Sequence, residues 1–303
     1  MAEHTYVLGI DIGGTNIRMG LVDENNELSE YLKVPQESIL TGEDTLESLA
    51  VYLEGYLAER AKGKDVIAIV AGIPAAMSRD RSTVLNAPNI RGFSGKNVQA
   101  ALQSHFSCPV LLERDATMLF YYDLYQHNIP HKDIIIGCYI GTGIGNVISV
   151  DGKPLVGNDG SAGELGHIPV WDKTDICNCG NEGCMESHVG GKYLVELQKT
   201  TFPDVDIHDL FAERGDAPEL DRYVEHLSLP ITTEINILNP AVIILGGGVL
   251  SMPGFPKERL EKYIYKHSRK PFPADNLHIV YSDNGGENGI YGSALYARDI
   301  LGK

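Results

Sequence analysis

The stretch that decides the fold is residues 6–23, which read YVLGIDIGGTNIRMGLVD. Its first part, Tyr6 to Ile10, is an apolar run typical of a buried strand, and Gly13-Gly14-Thr15 predicts a turn. Ile17 to Val22 is extended again, and an Asp-Glu-Asn-Asn run from Asp23 predicts a second turn into a further strand. The pattern therefore predicts a strand, a glycine turn and a hairpin.

A second copy of this pattern starts at Ile134. When the two copies are aligned, Gly9 matches Gly137 and Gly13 matches Gly141. The shared order of strand, glycine turn and strand indicates an internal duplication. Two similar halves, each with a glycine turn, predict two facing α/β domains with a cleft between them.

We expect the N-terminal domain to span residues 1–114, with a C-terminal helix over 290–303 packed on it, and the C-terminal domain to span 115–289. The remaining elements are predicted from hydrophobic periodicity. They are a helix with Leu46, Leu49, Ala50 and Leu53 on one face, strands over 66–73, 110–112, 242–245 and 277–281, and helices over 116–126, 231–238 and 255–267.

The composition excludes several classes of protein. Of the 303 residues, 43% are hydrophobic and 22% are charged, as in ordinary globular proteins. A net charge of −16 would repel phosphate backbones and anionic membrane surfaces, so we expect no nucleic-acid partner. No apolar run approaches the roughly 20 residues needed to span a bilayer, and the first five residues show no secretory signal. These features predict a cytoplasmic protein with no membrane partner.

Four soft-metal ligands lie close together in the sequence, namely His167, Cys177, Cys179 and Cys184. One histidine and three cysteines form a complete tetrahedral zinc set, which indicates a structural metal without an open catalytic position. The alternative is three buried or reactive thiols beside a surface histidine. The two remaining cysteines are flanked by apolar residues and fit core thiols in a reducing cytoplasm.

Three glycine turns at strand ends predict a nucleotide site. Glycines let backbone N–H groups approach a phosphate, and a carboxylate at a strand end can hold Mg²⁺ directly or through water. The spacing fits neither the dinucleotide fingerprint nor the P-loop. Each turn alone could be an ordinary connection between strands. The candidate ATP ligands are Asp11, Gly13, Gly14, Thr15 and Asn16 in the first turn, Gly141, Thr142, Gly143 and Gly145 in the second, and Gly246, Gly247 and Gly248 in the third.

Together these features closely resemble the ROK family of bacterial sugar kinases and repressors, and the resemblance covers essentially the whole chain. The motifs that carry it are Asp11-x-Gly13-Gly14-Thr15-x-x-Arg18, Arg114-Asp115-Ala116, Gly141-Thr142-Gly143-x-Gly145, Gly163-Glu164-Leu165-Gly166-His167, the cysteine cluster and Gly246-Gly247-Gly248. The resemblance implies an actin-like, hexokinase-type ATPase fold, an ATP- and Mg²⁺-dependent sugar kinase, and a homodimer. The family's repressors carry a helix-turn-helix segment before this pattern. Here the first strand begins by Tyr6, so we prefer the kinase interpretation.

By the same resemblance, Asp115 matches the catalytic base, which accepts the proton of the sugar hydroxyl as the γ-phosphoryl group transfers. The alternative role for Asp115 is a helix N-cap. The resemblance also implies that five residues contact the sugar. They are Asn89, Arg114, Glu164, His167 and Glu186. Asn89 could instead belong to an ordinary turn, and Glu164 and Glu186 could be exposed loop carboxylates.

Arg114 departs from the asparagine that usually precedes the catalytic aspartate in this family. An arginine has only donors and a permanent charge, so it alters which hydroxyl configuration is recognised. It could instead turn away and pair with Glu113. The segments over residues 113–115, 162–169 and 246–256 look most like the family's D-allose kinases, which implies D-allose, phosphorylated at its 6-hydroxyl. The alternatives are a kinase for glucose, fructose or an N-acylhexosamine, a sugar-sensing regulator without turnover, and a structural zinc protein.

Overall fold

The computed structural model describes residues 4–283 and 285–303. Residues 1–3, part of the segment in which no secretory signal is predicted, lie outside the described residues. The strands are β1 (Thr5–Ile12), β2 (Asn16–Asp23), β3 (Leu28–Pro35), β4 (Asp65–Ile73), β5 (Ala76–Met77), β6 (Val84–Asn86), β7 (Val110–Arg114), β8 (Ile134–Ile140), β9 (Ile144–Val150), β10 (Lys153–Pro154), β11 (Val242–Gly246) and β12 (Ile279–Tyr281).

The helices follow the predicted α/β alternation. They are α1 (Gln36–Ile39), α2 (Thr45–Arg60), α3 (Val98–Gln103), α4 (Asp115–Gln126), α5 (Glu186–Val189), α6 (Gly191–Thr201), α7 (Leu210–Arg214), α8 (Pro218–Leu238), α9 (Lys257–His267) and α10 (Asn288–Leu301). Three short 3₁₀ turns lie at Leu165–His167, Ile207–Asp209 and Ala274–Asn276. The helix predicted over 231–238 is the last part of α8, which starts at Pro218.

Two five-stranded sheets share one topology, as the duplication predicts. The first has the order β3-β2-β1-β4-β7, and the second has the order β10-β9-β8-β11-β12. In each sheet the central hairpin is antiparallel, and the two following strands add in parallel. The glycine turns lie between β1 and β2 and between β8 and β9, so both sheets present a turn at the same topological position.

The chain forms two compact units. Unit 1 comprises Met1–Ile129, Val156–Ala162 and Gly285–Lys303, and unit 2 comprises Pro130–Leu155 and Gly163–Asn284. The division differs from the predicted boundary after residue 114, because α4 packs against α10 within unit 1. The approach is close at Gly292, where a Cβ atom would lie 1.7 Å from the Met118 carbonyl oxygen.

The central strands β1 and β4 of the first sheet are buried on both faces, which explains their nearly continuous apolar sequences. Alternate residues of β1 face opposite sides: Leu8, Ile10 and Ile12 join the cluster that includes the apolar face of α2, whereas Val7 joins the cluster with α4 and α10. Gly9 lets α10 approach, since a Cβ there would lie 2.7 Å from the Ile290 carbonyl oxygen. Burial on both faces fixes β1, and with it the first glycine turn.

The second sheet packs on α8, through a cluster that includes Ile136, Cys138 and Ile140 of β8 and Leu227 and Ile231 of α8. Helix α8 ends at Asn239, which adopts the left-handed conformation with φ of 47° that terminates many helices. Among the described residues, no helix combines the length and the apolar character that crossing a membrane requires.

Candidate active site and metal centre

The first glycine turn follows directly from the end of β1. The Gly13 N–H donates to the Asn16 carbonyl (2.9 Å) and closes the turn, leaving Gly14 and Thr15 exposed. Gln36, which the sequence did not suggest, braces it: its Nε2 donates to the Gly13 carbonyl at 2.8 Å, and its backbone N–H donates to the Thr15 carbonyl at 2.8 Å. The turn is therefore held from behind, while its exposed face can meet a ligand.

Asp11 lies at the carboxyl end of β1, opposite Arg18 in the antiparallel register. The Arg18 Nη1 donates to the Asp11 Oδ2 at 2.9 Å. Burial raises the pKa of Asp11, and the adjacent Arg18 partly offsets that rise. A buried carboxylate of this kind would be stabilised by a further cation, so Asp11 fits a role beside Mg²⁺.

Asn89 adjoins the first glycine turn, which connects this predicted sugar contact to the predicted phosphate site within unit 1. A Cβ at Gly14 would lie 3.1 Å from the Asn89 Cβ. The Gln36 Nε2 also reaches the Asn89 carbonyl at 3.3 Å. The Asn89 side chain is exposed.

Asp115 is the first residue of α4, and Arg114 occupies the N-cap position without a side-chain cap bond. The Asp115 Oδ1 accepts the N–H of Ala116 at 2.9 Å. Burial and the negative charge of Asp11 raise the pKa of Asp115 to about 6, against the opposing effects of the Ala116 N–H and Arg114. The carboxyl is thus a stronger proton acceptor than an ordinary aspartate and is still ionised near neutral pH.

Glu113 is a buried ion-pair partner of Arg81. The Arg81 Nε donates to the Glu113 Oε2 at 3.0 Å, and the backbone N–H of Arg114 donates to the Glu113 Oε1 at 2.8 Å. Arg81 also donates to the Gly160 carbonyl at 2.9 Å. This arrangement fixes the backbone just before Asp115. The Arg114 side chain is buried, and its charge acts to lower the pKa of the Asp115 carboxyl.

The second glycine turn is held by Glu186. The N–H of Ile144 donates to the Glu186 Oε2 at 3.1 Å, and a Cβ at Gly143 would lie 2.0 Å from the same oxygen. A larger residue at position 143 would therefore displace the carboxylate that packs against the turn. Glu186 is half-buried and hydrogen-bonded, which distinguishes it from an ordinary exposed loop carboxylate.

Helix α6 also contacts the second turn, which the sequence did not suggest. The Gly191 N–H donates to the Gly141 carbonyl at 2.8 Å, and the Lys192 N–H donates to the Thr142 carbonyl at 3.0 Å. The Asn146 side chain, which follows Gly145, instead points into unit 2, where its Nδ2 donates to the Glu234 Oε2 at 2.8 Å.

The three glycines of the third turn, after β11, differ in how closely the protein packs around them. Gly247 has φ of 96°, and a Cβ there would lie 2.5 Å from the backbone of Ile140. A Cβ at Gly246 would lie 2.7 Å from the Ser282 Cβ. Gly248 is different, because a Cβ would enter open space. Packing within unit 2 thus explains two of the three glycines, and Gly248 is the position open to a ligand.

Gly141→Ala and Gly248→Ala are expected to raise the KM for ATP by at least about tenfold without lowering the Tm. At both positions a Cβ meets no protein atom within 4 Å, so a loss would report a ligand. Gly55→Ala is the matched control, because a Cβ at this position of α2 also meets no atom within 4 Å. It should neither raise the KM for ATP nor lower the Tm. Unchanged KM for ATP in both variants would remove these glycines from the nucleotide site.

The predicted zinc ligands converge in unit 2. One donor atom from each of His167, Cys177, Cys179 and Cys184 lies within 4.8 Å of every other, and this is the one such group among residues 4–283 and 285–303. The Cys177 Sγ lies 3.7 Å from the His167 Nδ1, and the Cys179 Sγ lies 3.5 Å from the Cys184 Sγ. Donor separations of about 3.5–3.8 Å follow from tetrahedral bonds of zinc to sulfur and nitrogen, so the cluster fits zinc.

The backbone around the cluster is shaped to bring the sulfurs together. The Cys177 N–H donates to the Asn181 carbonyl at 2.8 Å, and the Gly180 N–H returns to the Cys177 carbonyl at 2.9 Å. With Nδ1 facing the cysteines, the other ring nitrogen of His167 lies 3.6 Å from the Glu164 Oε2. One histidine thus connects the metal cluster to a predicted sugar contact.

Comparison with known proteins identifies the family. The sequence model of the protein family described as the ROK family matches residues 7–300 of this chain. The chain belongs to the ROK family. It is 27% identical over 312 residues to an N-acetyl-D-glucosamine kinase of Escherichia coli O127:H6, covering 95% of this chain and 97% of that kinase. It is 27% identical over 320 residues to a glucokinase of Thermotoga maritima, covering 98% of each chain.

Among solved structures, the crystal structure of a ROK family glucokinase from Streptomyces griseus in complex with glucose and AMPPNP is similar, with a TM-score of 0.78 and 25% identity. The match covers 97% of this chain and 99% of that one. These comparisons confirm the predicted hexokinase-type fold and the predicted class of enzyme, a sugar kinase. ATP and Mg²⁺ fit that class.

Proposed function

We propose that this ROK protein transfers the γ-phosphoryl group of ATP to the 6-hydroxyl of a free aldohexose, with D-allose as its preferred sugar. The observation that carries the proposal is Asp115, a carboxyl fixed at the start of α4 with a pKa raised to about 6. Such a group can accept a proton from a hydroxyl near neutral pH. The kinase relatives, at 27% identity, support the same class of reaction.

In the proposed reaction the sugar hydroxyl oxygen attacks the γ-phosphorus, its proton passes to the Asp115 carboxylate, and ADP leaves with the electrons of the broken bond. Bound Mg²⁺ supplies neutralisation of phosphate charge. Asp11 would hold the ion directly or through a water molecule. The backbone N–H groups of the Gly13–Asn16 and Gly141–Gly145 turns would bind phosphate oxygens, and the turn at Gly248 would adjoin the nucleoside.

The predicted sugar contacts remain part of this proposal: Asn89 and Arg114 in unit 1, and Glu164, His167 and Glu186 in unit 2. Carboxylates suit a sugar because each can accept from two neighbouring hydroxyls. The zinc cluster would fix the His167 ring and, through it, the position of Glu164.

The preference for D-allose rests on Arg114. Allose differs from glucose in the orientation of one hydroxyl, and an arginine beside the base offers only donors, where an asparagine offers a donor and an acceptor. Arg114 is buried, at 8% exposure, and its backbone is fixed by Glu113. The rival is a glucokinase or an N-acetylglucosamine kinase, since relatives of both kinds match at equal identity.

The test is sugar-dependent ADP production from ATP and Mg²⁺, with D-allose, D-glucose, D-fructose, D-mannose and N-acetylglucosamine compared by kcat/KM. We expect the highest value for D-allose. Arg114→Asn should shift the allose-to-glucose ratio toward glucose by about tenfold or more, because it restores an acceptor at this position. A wild-type preference for another sugar would refute D-allose and retain the kinase. ADP formation with none of the sugars, in zinc-replete protein, would favour a sugar-sensing regulator.

A further inference from the structure

We propose that Lys192 binds the phosphate groups of ATP at the second glycine turn. This inference rests on the proposed function, because it adds a residue to the nucleotide site of the same kinase. Lys192 belongs to none of the motifs that identify the family in this sequence. Three features of its surroundings carry the proposal: its backbone contact with the turn, the glycines before it, and its charge.

The backbone of Lys192 is bonded directly to the turn. Its N–H donates to the Thr142 carbonyl at 3.0 Å, next to the bond from the Gly191 N–H to the Gly141 carbonyl at 2.8 Å. The base of the lysine side chain is thus fixed beside the residues expected to hold phosphate oxygens. The side chain itself is exposed, and its flexible four-carbon stem can bring the ammonium group to a ligand on the turn.

Two glycines make this approach possible. A Cβ at Gly190 would lie 2.9 Å from the Thr142 carbonyl oxygen, and a Cβ at Gly191 would lie 2.4 Å from the Gly141 carbonyl oxygen. Any larger residue at either position would push α6 away from the turn. Lys192 is therefore the first side chain of α6 beyond this close contact.

The charge of Lys192 is poorly placed for helix stability alone. Cations are unfavourable near a helix N-terminus, yet Lys192 is the second residue of α6. The first turn of α6 contains no acidic residue, and Gly190 supplies no side-chain cap. Among the described residues, Lys192 has no ion-pair partner, whereas Lys199 on the same helix pairs with Glu196 at 3.1 Å. A bound anion would remove this unfavourable arrangement, and the neighbouring turn is where the nucleotide phosphates are expected.

The test is calorimetric titration of ATP, ADP, AMP and adenosine, with Mg²⁺ and without sugar, into the wild type, Lys192→Ala, Lys192→Arg and Lys199→Ala. Lys192→Ala should weaken ATP binding by about 10- to 100-fold, the range for a hydrogen bond to a charged group. Adenosine binding should change less than about twofold, because adenosine has no phosphate. Lys192→Arg should restore most of the ATP affinity, and Lys199→Ala should bind ATP as the wild type does.

Equal ATP affinity in Lys192→Ala and the wild type would overturn the inference. An equal loss for ATP and adenosine would also overturn it, since a distorted turn, not a missing phosphate contact, would then be responsible. The binding assay separates this outcome from the kinase proposal: a wild type that binds ATP and phosphorylates no hexose refutes the kinase alone. A wild type that binds no ATP refutes both.

Discussion

Asp115→Asn is expected to lower kcat for the sugar by about 100- to 10,000-fold, the contribution typical of general acid–base catalysis. Asparagine keeps the shape of the side chain and an oxygen that can accept the Ala116 N–H, which the native Oδ1 accepts at 2.9 Å. It cannot accept the proton of the attacking hydroxyl. Steady-state kinetics with the preferred sugar measure the loss, and KM for ATP should change little.

The stability of this variant gives an independent check. Because the pKa of Asp115 is raised from 3.8 to about 6 in the folded protein, folding favours its protonated form. The free energy of unfolding therefore falls as pH rises from about 4 to 6, because the ionised carboxyl is less stable in the folded protein than in the unfolded chain. Above that range the whole loss is present. Asp115→Asn should therefore melt at the same temperature as the wild type or higher at pH 8. A control is Asp216→Asn, whose side chain is fully exposed and should leave kcat unchanged.

The pH dependence has the same origin. Only the ionised carboxylate can accept a proton, so kcat/KM of the wild type should fall about tenfold per unit of pH below about 6. The residual activity of Asp115→Asn should not show this decrease of kcat/KM at acid pH. Near-normal turnover in Asp115→Asn, or the same decrease at acid pH in its residual activity, would assign the base to another residue.

Cys179→Ser is expected to lose bound zinc and to raise the KM for sugar by about 10- to 100-fold, the usual effect of disturbing the residues around a metal. The Cys179 side chain is exposed, so the substitution removes a metal ligand with little loss of packing. We also expect the Tm to fall by more than about 5 °C, as a loss of roughly 2 kcal/mol would cause in a domain of this size. Elemental analysis, kinetics and thermal unfolding measure the three effects.

The matched control is Cys108→Ser, which removes a partly buried thiol of unit 1 outside the cluster and should retain the metal. Chelation of the wild type should reproduce the effects of Cys179→Ser, and added zinc should reverse them. Loss of zinc with an unchanged KM for sugar would show that the metal does not position His167 and Glu164. If wild-type protein that was purified in the presence of zinc contained no bound zinc, the prediction of a structural zinc site would be refuted.

The sequence predicted the fold because its signals are local and repeated. The strand, glycine turn and hairpin around Gly13 recur around Gly141, and the two sheets have the same order. The metal site could also be predicted from the sequence, because three cysteines and a histidine within about eighteen residues admit few other interpretations. By contrast, the start of α8 was missed because Pro230, inside the helix, interrupts the pattern, while packing against the second sheet stabilises the helix through it.

The sequence by itself determined the two α/β halves, the positions of the glycine turns and the set of metal ligands, because each depends on residues close together in the chain. Only the tertiary structure decided what holds these parts in place. Gln36 braces the first turn, Arg81 fixes Glu113 ahead of Asp115, and Glu186 supports the second turn. Contacts of this kind join residues tens of positions apart, and they leave no local pattern because hydrogen bonds depend on distance in space and not on separation along the chain.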